Sequence, residues 1–469
     1  MPRMSAEGLA AARTAMERAD VHPRAIDVFA HYYQLLESGD TGTLAEQDIE
    51  PVADLPRLAD VHVEKERARE AIGQTVVVKL NGGLGTSMGM ERAKTLLAVR
   101  DDTSFLDVIV AQVRYAREQF GVELPVVFMN SFRTRNDTLE ALSAYPDLAA
   151  DGLALDFLQN REPKLFVGDL TPARWPADPD LEWCPPGHGD LYTALDISGV
   201  LEALLDKGLR YAFVSNADNL GATPDPKVAG WFASTEAPFA VEACRRTASD
   251  RKGGHLAVRR GDGRLVLRES AQTRPEDADA FADVERHRYF NTNNLWLDLR
   301  ALAGALESSG GVLGLPLIRN VKPVDPSDPS SPEVVQIETA MGAAVEVFDD
   351  SVAIEVDRSR FLPVKTTNDL LVLRSDVYDV APDHRLALAR RRGRSAPYVD
   401  LDKEYFALLR DFDARFAGGP PSLVDCDRFV VRGDVSFGAG VVVRGEVEVS
   451  SADWPESVPD GTILGGSPG

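Results

Sequence analysis

The chain has 469 residues, with 51 Lys plus Arg against 74 Asp plus Glu and a formal charge of −23 at pH 7. An apolar fraction of 44% supports a large core over roughly three domain lengths, which excludes disordered and fibrous classes. So acidic a chain repels nucleic-acid backbones and anionic lipid, and no basic stripe offsets this, so a bound polyanion must sit in a locally basic pocket. The N-terminal stretch mixes Arg3, Glu7, Arg13, Glu17 and Arg18 with alanines, and no run of about 18 apolar residues occurs, so a cytoplasmic protein is expected. Cys184, Cys244 and Cys426 have no metal-type spacing and read as bystanders in a reducing compartment.

From Ser5 to Leu36 apolar residues recur at helical intervals, with Pro23 placed to open a second helix, giving an N-terminal helical segment over 1–70. Pro51 and Pro56 mark a connector and Glu64–Glu70 a charged run. Thr75–Leu80 is a β-branched run that reads as a buried strand, and a glycine-rich loop follows it. Ser104–Phe120 is an amphipathic helix capped by Ser104 and Asp107. Pro125–Ser131, Leu155–Leu158, Tyr211–Ser215, Phe239–Ala243 and Leu256–Arg259 are further strands, with helices over Leu195–Leu205 and Leu299–Leu306. This alternation predicts a mostly parallel sheet with helices on both faces, over a domain spanning 71–417. Pro323–Pro332 reads as a surface excursion. After Gly418-Gly419-Pro420-Pro421, Val431, Phe437, Val443 and Val449 recur every six residues, as do Val435, Val441 and Val447. Over 418–469 this suits a β-helix coil, with a pair of hairpin strands as the alternative.

Lys79-Leu80-Asn81-Gly82-Gly83-Leu84-Gly85-Thr86-Ser87-Met88-Gly89 follows a strand and precedes Arg92 and Lys94, so its bare N–H groups suit phosphate as well as a plain tight turn. It is neither a Walker A loop nor a dinucleotide fingerprint, because Met88 stands where the third glycine belongs. Asp218 ends an apolar strand, where a divalent ion is wanted in an open parallel sheet, although an Asx-turn explains it equally. Gly187 and Gly189 flank His188 and permit close approach of backbone or ligand. Asn291, Asn293 and Asn294 suit sugar hydroxyls or a turn, and Lys365 suits a phosphate or plain solvation.

In this order, KLNGGLGTSMG (79–89), MNSFRT (129–134), PPGHGDLY (185–192), FVSNADNLGAT (213–223), KGG (252–254), FNTNNLW (290–296), QIETAMGAA (336–344) and RSRFLPVKTTNDLL (358–371) resemble the eukaryotic-type UTP–glucose-1-phosphate uridylyltransferases, or UDP-glucose pyrophosphorylases. The resemblance covers about Thr75 to Tyr378, and the hexad tail resembles that family's C-terminal left-handed β-helix. It implies an α/β fold with a Rossmann-like, glycosyltransferase-A-like mixed sheet. Leu80, Asn81, Gly82 and Gly83 would line the uridine and phosphate site, Lys94 would neutralise the triphosphate, and Gln159 would read uracil. Gly187 would contact the nucleotide and His188 the sugar phosphate. Asn216, Ala217 and Asp218 would approach the substrates, with Asp218 as the Mg²⁺ ligand, Asn293 on the sugar and Lys365 on the reacting phosphates. The family commonly carries Gly-Pro before the lysine, where this chain has Arg92-Ala93.

The implied reaction makes UDP-glucose and pyrophosphate from UTP and glucose 1-phosphate, whose second phosphate pKa near 6 removes any need for a general base. The lack of a Ser/His/Asp or paired-carboxylate constellation then fits catalysis by positioning and charge neutralisation. Competing readings are a uridylyltransferase for N-acetylglucosamine 1-phosphate or a broad set of sugar 1-phosphates, a UDP-sugar glycosyltransferase, and a UDP-glucose sensor. A glycosyltransferase would usually carry Asp-x-Asp, where this chain has Asp218-Asn219-Leu220. The tail is short and ends Gly465-Gly466-Ser467-Pro468-Gly469, which leaves a monomer and a homo-oligomer built through the C-terminal domain both open.

Overall fold

The computed structural model describes residues 2–100, 102–247, 250–393, 395–454 and 457–466, so Ser467 to Gly469 of the glycine-rich tail lie outside it. Helices α1 (Pro2–Arg18) and α2 (Pro23–Glu37) open the chain, with Pro23 in the first turn of α2 where its missing N–H costs nothing. Ile26, Phe29, Tyr33 and Leu36 form the buried stripe of α2 and pack on Leu165, Leu317, Val335 and Ile337. The N-terminal segment is not helical throughout: β1 (Ile49–Pro51) pairs antiparallel with residues 257–259 before α3 (Lys65–Gly73) begins.

All of β2 (Thr75–Asn81) is buried, Val77 in one core and Val76, Val78 and Leu80 in the other, because alternate residues point to opposite faces. Helix α4 (Phe105–Phe120) starts with the expected capping box, in which Ser104 N–H donates to Asp107 Oδ2 at 2.7 Å and Asp107 N–H to Ser104 Oγ at 3.2 Å. β3 (Val126–Asn130), β4 (Asp156–Leu158), β5 (Tyr211–Asn216), β6 (Phe239–Arg245), β7 (His255–Arg259), β8 (Leu265–Arg268) and β9 (Tyr289–Asp298) follow. Beyond an antiparallel hairpin of β10 (Ile318–Pro323) and β11 (Glu333–Glu338), β12 (Val352–Glu355) completes a 10-stranded sheet. The residues between β10 and β11 are the proline-rich excursion.

The sheet order is β1-β7-β9-β5-β2-β3-β4, with β8 on β7, β6 on β9 and β12 on β6. The expectation of a mostly parallel sheet is corrected here. Strands β5, β2, β3 and β4 are parallel, but β9 runs antiparallel to both β5 and β6 and makes the sheet mixed. The helix expected over Leu195–Leu205 is likewise two helices, Leu191–Ile197 and Val200–Asp206, separated where Gly199 adopts φ +73°.

In the C-terminal part β13 (Tyr398–Leu401), β14 (Cys426–Arg432) and β15 (Gly445–Ser450) pair in parallel, as do Val442–Val443 and Ile463–Leu464. Parallel pairing excludes the hairpin alternative, since a tight turn joins only antiparallel strands. Both six-residue series point inward, and Val431, Val435, Phe437, Val441, Val443, Val447 and Val449 are all buried. This interior is continuous with one face of the main sheet, running from Val77, Phe128 and Phe213 through Leu370 and Leu371 to Phe429 and Val431. The three cysteines are buried, and no helix among the described residues is long and apolar enough to cross a membrane.

Candidate active site

The register of the parallel strands assembles the site. Leu80 lies opposite Asn216, and Asn81 opposite Asn130, which in turn lies opposite Leu158. The chain therefore leaves four neighbouring strands at one edge, as Gly82–Gly83, Ala217–Asp218, Ser131 and Gln159, which is where ligands bind in open α/β sheets.

Two residues of the first motif point into the sheet. Asn81 donates to Asn130 Oδ1 (2.8 Å) and Thr138 Oγ1 (2.9 Å) and accepts from Thr95 Oγ1 (2.9 Å), so its side chain is fully engaged inside the protein. Lys79 is fully buried and donates to Ser215 Oγ (2.9 Å) and the Ala222 carbonyl (2.8 Å), bracketing the loop that carries Asp218. Burial, helped by the Arg360 charge, pulls the Lys79 ammonium down from 10.5 to about 7. The unfolded chain then holds a proton that the folded chain gives up, so this group favours folding more as pH rises from about 7 to 10.5. Lys79→Met should remove that slope and keep the pH 7 melting temperature, while turnover falls about tenfold through the loosened Asp218 loop. Melting curves across that pH range and a turnover assay check both parts.

Gln159 is buried, donates Nε2 to the Gly187 carbonyl at 2.8 Å, and places Oε1 only 2.9 Å from where a Cβ on Gly82 would stand. Gly187 has φ +78°, and a Cβ there would lie 2.5 Å from the Thr339 carbonyl oxygen and 2.8 Å from its nitrogen. Gly187→Ala is expected to cost about 2 kcal/mol or more, read as a lower urea midpoint. His188 accepts the Met341 N–H at Nδ1 (2.9 Å), which leaves the imidazole proton on Nε2. Burial, with the Lys365 charge nearby, lowers the His188 pKa to about 4, so the ring is a neutral donor at pH 7.

On the other side of the loop Lys94 Nζ meets Asp218 Oδ2 at 2.7 Å, both side chains only partly exposed. The Gly83 carbonyl accepts the Lys94 N–H (3.1 Å), whereas the N–H groups of Gly83, Leu84 and Gly85 meet no protein acceptor among the described residues. Lys365 is exposed, and its backbone is fixed by Asp369, which accepts its N–H at 2.8 Å, and by Ser87, which donates to its carbonyl at 3.3 Å.

The asparagine motif is not a turn but a bulge in β9, where the pairing with β6 slips between Glu242 and Ala243. Asn293 has φ +58° and exchanges bonds with Asn291, its N–H donating to Asn291 Oδ1 (2.9 Å) and its Oδ1 accepting from Asn291 Nδ2 (2.8 Å). Asn294 instead faces the core, donating to Glu242 Oε2 (3.1 Å) and the Arg360 carbonyl (3.1 Å).

Several functional-looking residues escaped sequence reasoning. Glu242 and Arg360 form a buried bidentate pair, both bonds 2.6 Å, which Trp296 Nε1 joins at 2.9 Å. Asn219 is buried, donating to Asn294 Oδ1 (3.1 Å) and the Arg360 carbonyl (3.1 Å) and accepting from Gly221 (3.1 Å) and Leu362 (2.8 Å). This ties the Asp218 loop to the Lys365 segment. Glu269 is held against Gly254, whose Cβ would sit 2.5 Å from Oε2, and burial raises its pKa while Lys365 lowers it. Asn219, Trp296 and Arg360 lay within recognisable motifs; Glu242 and Glu269 carry no local signal at all.

The sequence profile of the family described as UTP–glucose-1-phosphate uridylyltransferase matches residues 26–444. The chain belongs to this uridylyltransferase family. A Hordeum vulgare UTP–glucose-1-phosphate uridylyltransferase is 37% identical over 417 residues, 88% of this chain and 85% of its own. The Saccharomyces cerevisiae enzyme of the same name is 38% identical over 397 residues, 84% of this chain and 77% of its own. A crystal structure of a Leishmania major UDP-glucose pyrophosphorylase variant in complex with UDP-glucose covers 97% of this chain and 98% of its own, at 43% identity and TM-score 0.90. A Trypanosoma brucei structure named UDP-glucose phosphorylase covers 98% of both chains at 42% identity and TM-score 0.90.

Within this uridylyltransferase framework the Arg92-Ala93 departure has a physical counterpart. Ala93 keeps a φ of −53°, which proline would also adopt, and its N–H donates to Asp137 Oδ2 at 3.3 Å, a bond proline could not make. Arg92 adds an ion pair to the same carboxylate at 3.6 Å, so contacts to Asp137 do the stiffening that a proline ring would do.

Proposed function

We propose that this chain transfers the uridylyl group of UTP to glucose 1-phosphate, forming UDP-glucose and releasing pyrophosphate. The observation that carries this reading is the convergence of Lys94, Asp218 and the unbonded loop N–H groups at the ends of β2 and β5, in a chain of this family. Gln159 would read uracil beside Gly82 and Gly187, with Leu80, Asn81 and Gly83 shaping the floor of the nucleotide site. Asn216 and Ala217 would border the substrates where β5 ends. The Nε2–H of His188 would donate to the sugar phosphate, and Asn293 and Glu269 would meet sugar hydroxyls.

A phosphate oxygen of glucose 1-phosphate attacks the α-phosphorus of UTP in line. The new O–P bond forms as the bond to the bridging oxygen breaks, and that electron pair leaves on pyrophosphate. No proton need be removed from the nucleophile at neutral pH. Lys94, released from Asp218 by the incoming triphosphate, and Lys365 then balance charge on the phosphates, while loop N–H groups hold the oxygens.

Asp218 is the residue that would hold Mg²⁺. Among the described residues no group of three or more His, Cys, Asp or Glu side chains could hold a metal. A lone strand-end carboxylate still fits this ion, because Mg²⁺ commonly takes one or two carboxylates and completes its shell with water and substrate phosphates. When bound it supplies positive charge to the phosphates. The same reading divides the chain at about residues 70 and 417, makes the parallel C-terminal stack a left-handed β-helix, and places the protein in the cytoplasm as a monomer or an oligomer joined through that stack.

Pyrophosphate release with UTP and either glucose 1-phosphate or N-acetylglucosamine 1-phosphate tests the proposal, with ATP, GTP and dTTP as nucleotide controls. Release confined to UTP with glucose 1-phosphate is expected. UDP-glucose binding without turnover would make the chain a sensor or glycosyltransferase.

A further inference from the structure

Besides the antiparallel pairing of Glu162–Pro163 with Trp183–Cys184, a single carboxylate ties the loop that carries Gln159 to the loop that carries Gly187 and His188. Asp190 is buried and directs both oxygens at a single residue, Oδ2 accepting the Asn160 N–H at 2.6 Å and Oδ1 accepting Asn160 Nδ2 at 2.8 Å. Together with the bond from Gln159 Nε2 to the Gly187 carbonyl at 2.8 Å, these stitch residues 159–160 onto residues 187–190.

Asn160 and Asp190 line a small cavity of about 30 Å³, shared with Tyr32, Arg161, Glu162 and Thr339, so the clamp borders a void rather than a filled core. Asp190 stands at the N-cap of the seven-residue helix Leu191–Ile197, where its charge is favoured, but its side chain makes no cap bond. No Lys or Arg forms an ion pair with Asp190 among the described residues, and its neighbour is another acid, the buried Glu162, whose Oε1 has no partner. A buried carboxylate without a cationic partner costs stability that a neutral residue would spare. Such a cost is typical of residues kept for a site rather than for the core.

We propose that Asp190 is a positioning residue for nucleobase recognition: its bidentate clamp on Asn160 sets Gln159 against Gly82 and Gly187, and so fixes the affinity and selectivity for uracil. This rests on the uridylyltransferase reading and on Gln159 as the uracil contact. Asp190 touches no reacting phosphate in that reading, so its effect should fall on KM rather than on kcat.

The test is steady-state turnover with UTP and with CTP, which presents an amine where uracil has a carbonyl. In Asp190→Asn, the amide must present Nδ2 to a donor at one of the two Asn160 bonds. The UTP KM should rise about tenfold, with kcat within about twofold and the preference for UTP over CTP reduced. The double variant D190N/N160D reverses one bond, because the amide introduced at position 190 would accept the backbone N–H of residue 160 and donate to the carboxylate introduced there. It should return the UTP KM to within about threefold of wild type, a rescue that mere structural damage would not show. If Asp190→Asn folds poorly, Asn160→Ala, which deletes only the side-chain arm, should raise the UTP KM about threefold. An unchanged UTP KM in a folded single variant, or a loss confined to kcat, would overturn the proposal, as would failure of the double variant to recover. Wild-type protein that releases no pyrophosphate from UTP and glucose 1-phosphate would instead overturn the underlying reading.

Discussion

Asp218→Asn is expected to fold normally and to lose about a thousandfold in turnover with UTP, glucose 1-phosphate and Mg²⁺. The side chain is partly exposed at the end of β5 and meets Lys94 Nζ at 2.7 Å, while the backbone N–H of Val364 donates to the residue's carbonyl at 3.3 Å. An amide of the same shape keeps that backbone bond, so melting should barely move. The charge is what is lost, and with it the carboxylate proposed to hold the divalent ion. The same change frees the Lys94 ammonium from its counter-ion, so metal-free UTP should bind as tightly as in wild type or more tightly. Calorimetry of UTP binding without and with Mg²⁺, beside the turnover assay, separates the two effects. Near-wild-type turnover would remove Asp218 from the metal and phosphate site.

For Lys365→Ala the expected loss is about a hundredfold in kcat with little change in the KM for UTP, because in the proposed reaction its charge would matter most as pyrophosphate departs. The segment's shape does not depend on this side chain. Asp369 accepts the backbone N–H groups of both Lys365 and Thr366, at 2.8 and 2.9 Å, and the adjacent helix Thr367–Arg374 is capped by the same carboxylate. A second readout comes from His188, whose pKa is lowered first by burial and then by the Lys365 charge. Removing the lysine should raise the His188 pKa part of the way back toward 6.5, which NMR titration of that imidazole would register. A change in KM alone would assign Lys365 to ground-state binding.

Motifs that end strands were legible because the apolar run and the polar stop both lie in contiguous sequence, as for Thr75–Asn81 and Tyr211–Asn216. The capping box at Ser104 was legible for the same reason. What was not legible depended on direction. Lys79 and Asn81 sit in the most recognisable motif, yet their side chains bind Ser215, Ala222 and Asn130 inside the sheet. β9 was missed as a full-length strand because three asparagines interrupt its apolar pattern, and their bonds to Glu242 and to one another are what keep it in the sheet. Glu242 and Arg360 lie 118 positions apart, and Glu269 meets Gly254 only across the β7–β8 pairing, so no local window links these pairs. The helix break at Gly199 lay in a run whose leucines alone favour continuity.

The unbroken interior that joins the main sheet to the C-terminal stack, by way of Leu370 and Leu371 just after Lys365, has a further consequence. Cutting the chain at the Gly418-Gly419 break would expose apolar residues that this shared interior buries, so the tail cannot be treated as a detachable appendage. At the far end the last described rung shows its two faces plainly, with Ile463 54% exposed and Leu464 beside it buried in the same interior.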